Sequence, residues 1–465
     1  MTADETASKT QSASGAVPGP ILRTLLVLAF PIVVSMASRT AMHAIDFVMV
    51  SQLGQAAQAA LVPAGLLLFC AIAFGFGMAS VVSTLSSQAL GRGATDQCGV
   101  WAWQGLWWSL AWGALVLCAL PWVEPGVLRL GHDPEMARLE VDYIRVGLWG
   151  VAPTVASAVL IAFFQGIHRP WAGLWATVLS NVFNVVANYA LIYGQWGFPA
   201  MGVAGASLAT VLASVVSLGV LLVFLRRPVI WTTFGLGGTW RPRRKPLATV
   251  VRLGGPAGLQ ATADLVCFSI FLAVLVGRFG VPAMAGSNIA FKYFELAIVP
   301  VIGLAMATTA AVGRCLGAGD GARARATASY AWALGAGWTG LVGVGYVLLG
   351  PTLVGWLTDD PEVQRQGVAV LACMAVFQVF DAAKYILGGA LRGAGDTAWP
   401  AVALLGSFLV VMLGGGWAVV AYAPGLGVVG PWLAATTAFG LVTGLFAWRF
   451  YARHRAGPEA GFAGP

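Results

Sequence analysis

Long apolar stretches separated by short polar loops fill the chain from residue 22 to residue 450. Each is long enough to cross a bilayer, whose hydrocarbon core requires about 20 apolar residues in a helix. None alternates apolar and polar residues as the strands of an outer-membrane barrel do. The pattern therefore predicts an all-α polytopic membrane protein with twelve transmembrane helices. The twelve stretches are 22–50, 57–82, 98–120, 139–165, 171–194, 203–225, 252–277, 284–313, 326–350, 366–390, 398–422 and 430–450.

The chain also repeats itself once, at offsets of 225–227 residues. Leu28-Ala29-Phe30-Pro31 matches Leu253-Gly254-Gly255-Pro256, and Leu90-Gly91 matches Leu316-Gly317, with further matches in the same order. Because each half contains an even number of helices, both halves start on one side of the membrane, and the repeats are parallel. Two such halves in a membrane chain are typical of a transporter whose site lies between them. The predicted segments are a disordered tail over 1–21, an N-lobe over 22–225, a linker over 226–251, a C-lobe over 252–450 and a second tail over 451–465.

Composition and charge support this class and set its orientation. Hydrophobic residues make up 58% of the chain and charged residues 9%, against roughly 25% charged residues in soluble domains. Lysine and arginine concentrate in the loops and tails of one side, whereas the other side has little more than Arg129, Arg138, Arg278 and Arg365. The bias predicts a multi-pass inner-membrane protein with the linker and both termini in the cytoplasm. Since the bases are divided among short loops, no nucleic-acid partner is expected.

Several ionisable side chains fall within the apolar stretches, where a charge costs roughly 2.5–3.5 kcal/mol and needs a reason. Asp46 and Asp264 have no oppositely charged residue within one helical turn. They are either neutral structural carboxyls or coupling sites that load a proton or a cation such as Na⁺. We predict cation coupling at Asp46, Asp264 and Asp381, with a possible Na⁺ at Asp264 and Asp381.

Two intramembrane pairs have the spacing of neighbours on one helical face. Asp381 and Lys384 stand three residues apart, and so do Lys292 and Glu295. Such pairs either neutralise each other within the helix or take part in function. Arg39 is seven residues from Asp46, close enough to share a network but too far for direct contact in a straight helix.

A polar face and two prolines complete the candidate residues. Asn181, Asn184 and Asn188 are spaced to lie on one side of the fifth predicted helix, and Tyr189 follows them. Asparagines of this kind either bond to other helices or line a cavity. We predict a cavity or substrate role for these four residues. Pro31 and Pro256 sit early in the first helix of each half, where they predict matching bends, static or changing during a cycle.

The sequence offers little to suggest an enzyme. The four histidines are not spaced as metal ligands, the six cysteines form no Cys-x-x-Cys pair, and there is no Walker A sequence. We therefore expect no catalytic site, no cofactor beyond a coupling ion, and no obligate protein partner. A small-molecule substrate and membrane lipid are the expected partners.

Several segments resemble the MATE (multidrug and toxic compound extrusion) transporters, over about residues 22–450. The most specific is the run from Asn188 to Thr210, which resembles the signature of the fifth and sixth helices. The other three are Ala44–Val50 with Leu53-Gly54, Gln88–Gly91, and Leu391–Thr397.

The resemblance implies two six-helix lobes, a central cleft, and cation-coupled drug efflux by alternating access. Asp46 matches the aspartate that members use in coupling, and Asn184 and Asn188 match polar positions of the first lobe. Asp264 and Asp381 fall where the Na⁺-coupled, NorM-type branch carries Glu and Asp. Here Lys384 follows one turn later, where its charge can replace that of a bound cation. Lys292 and Glu295 match a basic-x-x-acidic pattern in the eighth helix of some members.

The predicted function is a cation-coupled antiporter, driven by H⁺ or Na⁺, that exports amphipathic, cationic drugs or toxic organic compounds by alternating access. One alternative is a flippase or exporter of a lipid-linked or polyanionic precursor, although such proteins usually need a strongly cationic cavity. A second is a membrane scaffold or receptor that transports nothing, whose helices would not need lone carboxylates. A membrane-bound transferase would need a polar catalytic cluster at an interface loop.

Overall fold

The computed structural model describes residues 20–453 and is 88% helical, with no strand in that range. The helices of the first half are α1 (Ile21–Ser51), α2 (Gln55–Gly91), α3 (Thr95–Leu117), α4 (Leu120–Leu128), α5 (Pro134–Trp149), α6 (Val151–Gly166), α7 (Trp171–Tyr193), α8 (Gly202–Leu225) and α9 (Pro228–Thr233). Those of the second half are α10 (Arg244–Ile270), α11 (Gly280–Gly317), α12 (Gly321–Gly355), α13 (Pro361–Gly393), α14 (Ala398–Ser407), α15 (Gly416–Tyr422) and α16 (Val429–Arg453). The prediction of an all-α membrane protein is confirmed.

These helices provide the twelve predicted crossings. Within residues 20–453, nine continuous helical runs are long and apolar enough to span a membrane, and two bent pairs raise the number to eleven. One run, Arg244–Gly317, is 74 residues long, about 110 Å at the helical rise and far more than one crossing of about 30 Å. Gly280, with φ +86°, divides it, which gives the twelfth span.

Bends and π-helical turns occur inside the predicted apolar stretches, where hydrophobicity alone does not predict them. The axes of α3 and α4 differ by 49°, and those of α5 and α6 by 47°. α10 passes into a π-helical turn over Phe271–Leu275, and α14 into another over Phe408–Gly415. Helices α1 and α10 continue through the predicted bend positions Pro31 and Pro256.

The chain divides into two compact units whose boundaries follow the repeat. The first unit is Val34–Gly258, and the second joins Met1–Val33 to Leu259–Pro465. Both boundaries lie inside the opening helix of a half, and Val33 and Gly258 are separated by the repeat offset. The predicted lobes, 22–225 and 252–450, are instead separated by the linker between the last helix of one half and the first helix of the next. The predicted tails, 1–21 and 451–465, lie almost wholly outside the described residues.

The sequence Asp-Pro-Glu occurs at 133–135 and again at 360–362, and it begins a helix both times. Asp133 accepts hydrogen bonds from the N–H groups of Glu135 and Met136, and Asp360 accepts from the equivalent positions 362 and 363. In each case proline is the first helical residue, where its missing N–H costs nothing. The Asp-Pro-Glu sequence therefore begins a helix in each half.

Close helix packing in the first unit depends on glycine at Gly205 in α8. A Cβ atom there would lie 2.5 Å from the carbonyl oxygen of Leu191 in α7, a contact that backbone atoms cannot relieve without moving. Small residues let membrane helices approach in this way.

We expect Gly205→Ala to lower the thermal midpoint of the purified protein, because overpacking costs roughly 1–3 kcal/mol. Gly219→Ala is the matched control, since Gly219 lies on the same helix and a Cβ atom added there would meet no other atom within 4 Å. Equal midpoints for the two variants would show that α7 and α8 do not depend on this contact.

Candidate functional site

Asp46 lies at the end of a hydrogen-bonded chain that joins three helices of the first unit. Asn188 of α7 donates to Asp46 Oδ1 on α1, and also donates to Asn184 Oδ1 at 3.1 Å. Asn184 Nδ2 donates in turn to Thr210 Oγ1 of α8 at 3.4 Å. We call these four residues the Asp46 network. Both asparagines are fully buried, and Asp46 is half-buried.

The local sequence explains why the network forms. Asn184 and Asn188 are four residues apart on α7, so their side chains meet on one helical face. Helix α1 runs alongside α7 in the same direction, with Asn181 donating to Ser38 Oγ at 2.8 Å on one side of Asp46. On the other side, Tyr193 donates to the carbonyl oxygen of Met49 at 2.8 Å. Asp46 is therefore held between two polar contacts that align the helices.

One atom of the Asp46 network lacks a partner. Asn188 Oδ1 is buried and accepts no hydrogen bond, while its amide nitrogen donates to both Asp46 and Asn184. An unpaired buried acceptor costs roughly 1–3 kcal/mol. A proton on Asp46 supplies the missing donor, because rotation of the Asn188 amide then places Oδ1 against the acid O–H.

The second unit contains a three-charge group that we call the Lys384 cluster. Lys384 Nζ lies 3.3 and 3.2 Å from the two carboxylate oxygens of Asp264, which is on α10. It also lies 2.9 Å from Asp381 Oδ1, one turn earlier on its own helix α13, with which it forms an ion pair. Lys384 and Asp381 are almost wholly buried, whereas Asp264 is 26% exposed.

Aromatic rings complete the surroundings of the ammonium group. Lys384 Nζ lies 4.4 Å from the ring centroid of Phe439, 4.5 Å from that of Tyr385 and 5.8 Å from that of Phe408. Ring faces attract cations within about 6 Å. In the second unit, therefore, two carboxylates and three aromatic rings surround the ammonium group of the Lys384 side chain.

Comparison with known proteins identifies the family. The MatE family's sequence profile matches two separate segments, residues 31–190 and 262–417, one in each half of the repeat. The chain belongs to the MatE family. Among curated proteins it is 30% identical over 437 residues to the "Probable multidrug resistance protein NorM" of Rhizobium meliloti (strain 1021), covering 92% of this chain and 93% of that protein. It is 32% identical to the protein of the same name from Brucella suis biovar 1 (strain 1330), over 92% and 93%.

Solved structures of MatE transporters share the fold. One, described as the outward-facing conformation of a multidrug resistance MATE family transporter of the MOP superfamily, has a TM-score of 0.86 at 22% identity, covering 94% of this chain and 97% of that one. Another, from Pyrococcus furiosus, is described as having a binding pocket of reverse polarity that suggests a different function; its TM-score is 0.85, also at 22% identity, over 94% and 96%. The predicted twelve-helix, two-lobe fold is confirmed, and the chain is a multi-pass membrane protein of a family of small-molecule transporters.

Within this MatE chain, the structure brings some predicted residues together and leaves others apart. Tyr189 is not in the Asp46 network; its ring packs against Tyr193 and Trp196 and is 46% exposed. Lys292 and Glu295 form an ion pair at 3.0 Å with both side chains largely exposed. Arg39 lies over the ring of Phe76, 5.6 Å from its centroid.

The structure also shows partners that sequence reasoning missed in this MatE chain. Thr210 extends the network to α8, and Ser38 Oγ accepts a hydrogen bond from Asn181. The one available signal was that hydroxyl groups in apolar helices tend to bond across helices. Within residues 20–453, no group of three or more His, Cys, Asp or Glu side chains could hold a metal ion.

Proposed function

We propose that this MatE chain is a proton-coupled antiporter that exports amphipathic organic cations by alternating access. The observation that carries the proposal is the Asp46 network, in which the Asp46 carboxylate accepts a hydrogen bond from the Asn188 amide, whose own oxygen is buried without a partner. The curated relatives named as multidrug resistance proteins support the substrate class. Amphipathic cations also suit a site of carboxylates and aromatic rings.

The network links protonation of one side chain to the packing of three helices. With Asp46 ionised, the amide hydrogens of Asn188 face Asp46 and Asn184. With Asp46 neutral, rotation of Asn188 reverses its donor and acceptor, so that Asn184 also rotates and accepts from Thr210, whose hydroxyl then leaves the carbonyl oxygen of Ala206. The two states differ in how α1 is bonded to α7 and α8. Coupling follows if substrate favours one state and the proton the other.

Proton coupling is favoured over Na⁺ coupling by the position of Lys384. A cation between Asp264 and Asp381 would have to share the site with the Lys384 ammonium, which already contacts both carboxylates. Like charges a few ångströms apart repel strongly at low dielectric. We therefore propose that Lys384 supplies the charge that a metal cation would otherwise provide, and that the coupling proton is carried by Asp46.

The proposed orientation places the substrate entrance on the cytoplasmic side of the inner membrane. The bases of the linker and of the loops on its side exceed those of the opposite loops, which supports cytoplasmic termini. Binding of the external proton would favour the state with lower substrate affinity, and release of the proton inside would reset the transporter. The imposed gradient supplies the energy, since a ligand shifts two states only by its differential affinity for them.

The export proposal is tested in an efflux-deficient bacterial host that expresses the full chain. We expect reduced accumulation of a fluorescent organic cation such as ethidium, with recovery of accumulation when the proton gradient is collapsed. An anionic dye of similar size is the control and should accumulate unchanged. Normal accumulation of several cationic dyes in cells with verified expression would contradict the proposal, and lower accumulation of the anionic dye alone would favour the polyanion exporter.

A further inference from the structure

The segment between the two halves is bonded to the first unit along its length. Gln104 of α3 is fully buried; its Nε2 donates to the carbonyl oxygen of Arg241 at 3.1 Å, and its Oε1 accepts from the N–H of Arg243 at 3.0 Å. Trp103 Nε1 donates to the carbonyl oxygen of Leu236 at 3.0 Å. Trp107 Nε1 donates to that of Trp240 at 2.7 Å. These bonds position the backbone of residues 236–243.

Apolar packing reinforces these hydrogen bonds. Phe234 and Leu236 are 5% and 0% exposed and belong to an apolar core cluster of the first unit. At Gly99 of α3, an added Cβ would collide with the carbonyl oxygen of Phe234. These contacts therefore fix the backbone from which the exposed side chains of the segment project.

Those exposed side chains form a basic surface. The chain contains no acidic residue between Asp142 and Asp264. The linker surface consists of six exposed bases, Arg226, Arg227, Arg241, Arg243, Arg244 and Lys245. Among the residues that the structure describes, none of the six takes part in an ion pair. Asp96 of α3 approaches the segment at Gly235, where an added Cβ atom would lie 3.3 Å from the Asp96 Cβ. The surface thus retains an uncompensated positive charge.

Three of these bases, Arg243, Arg244 and Lys245, lie at the N-terminus of a helix, a position that favours anions. Helix α10 begins at Arg244 with no acidic residue in its first turn, and Arg243 and Lys245 flank that position. The N-terminus of a helix carries about half a positive charge and unpaired N–H groups. Cations there are unfavourable without a counter-anion, whereas a phosphate group fits both the N–H groups and the bases.

We propose that the linker surface binds the headgroups of anionic phospholipids. Trp240 lies beside the bases and is 50% exposed, as tryptophans at the membrane interface commonly are. Clusters of four to eight bases next to a transmembrane helix are typical of anionic-lipid recognition. The proposal uses the predicted cytoplasmic position of the linker but does not depend on which substrate is transported.

The test is native mass spectrometry of the full-length protein in detergent micelles that contain equal amounts of phosphatidylglycerol and phosphatidylcholine. We expect the wild type to retain phosphatidylglycerol preferentially. The variant Arg243→Gln/Arg244→Gln/Lys245→Gln should lose that preference by roughly tenfold or more, since each base near an anionic surface contributes about 1 kcal/mol. An unchanged preference in this variant would overturn the proposal.

Matched controls separate the site from net charge and from free anions. The variant Arg129→Gln/Arg138→Gln/Arg278→Gln removes three exposed bases outside the linker and should keep the preference. Thermal midpoints confirm that both variants fold. Gln104→Met removes both backbone contacts and should weaken the preference while leaving the six bases in place. Inorganic phosphate in tenfold excess should not displace the lipid; displacement would assign the site to free anions and overturn the lipid proposal.

Discussion

Asp46→Asn is expected to abolish proton-driven export, lowering the initial rate by at least roughly tenfold toward that of empty vesicles. Asparagine has nearly the same shape as aspartate, so the helices can still pack, but it carries no titratable proton. The Asp46 network would then have a single charge state, and Asn188 could no longer alternate between donor and acceptor toward residue 46. The measurement is uptake of a fluorescent cation into inverted vesicles under an imposed pH gradient.

Two control variants make the Asp46 result specific. Asp359→Asn neutralises an exposed carboxylate in the loop before α13 and should leave transport unchanged. Asp46→Glu keeps a titratable group but lengthens its side chain, so partial activity is expected. Wild-type rates in Asp46→Asn, at equal expression and thermal stability, would remove Asp46 from the coupling mechanism.

Lys384→Gln is expected to destabilise the protein and to create a response to Na⁺. Removing one partner from a buried ion pair costs roughly 3–5 kcal/mol, and here it leaves the carboxylates of Asp264 and Asp381 close together without their shared cation. The thermal midpoint should fall by roughly 5–10 °C. Sodium chloride should then raise it by several degrees relative to choline chloride, because a bound cation stabilises the folded state.

Lys292→Gln is the matched control for this prediction. It removes the same kind of charge from an ion pair whose side chains are 72% and 49% exposed, where a pair contributes about 0–1 kcal/mol. Asp381→Asn/Lys384→Gln removes the excess negative charge and should lose the response to Na⁺. If Lys384→Gln melts like Lys292→Gln, and equally in sodium and choline chloride, Lys384 does not occupy a cation position.

The helices could be predicted from the sequence because a membrane span needs a long apolar run. The predicted spans 171–194 and 398–422 agree closely with α7 and with the run Ala398–Tyr422. The bend between α5 and α6 could not be predicted, since it lies inside one apolar stretch, 139–165. Apolarity reports burial in lipid or protein but not the local backbone hydrogen bonds that bend a helix.

The site could be predicted only in part, for a similar reason. Helical spacing identified the pair Asp381 and Lys384 and the face formed by Asn184 and Asn188. Spacing within one helix does not reveal partners on another, so the contact of Lys384 with Asp264, 120 residues away, required the structure. Tyr189 lies outside the Asp46 network although it stands next to Asn188 in the chain, because adjacent helical residues point about 100° apart.

The central proposal is that the coupling proton is carried by the first unit, while Lys384 takes the cation position of the second. The most direct test is uptake of a fluorescent organic cation by proteoliposomes under separately imposed gradients of H⁺ and Na⁺, at matched ionic strength and membrane potential. We predict that the H⁺ gradient alone drives uptake and that the Na⁺ gradient alone has no effect in the wild type. Uptake driven by Na⁺ at constant pH, or by neither gradient, would contradict the account.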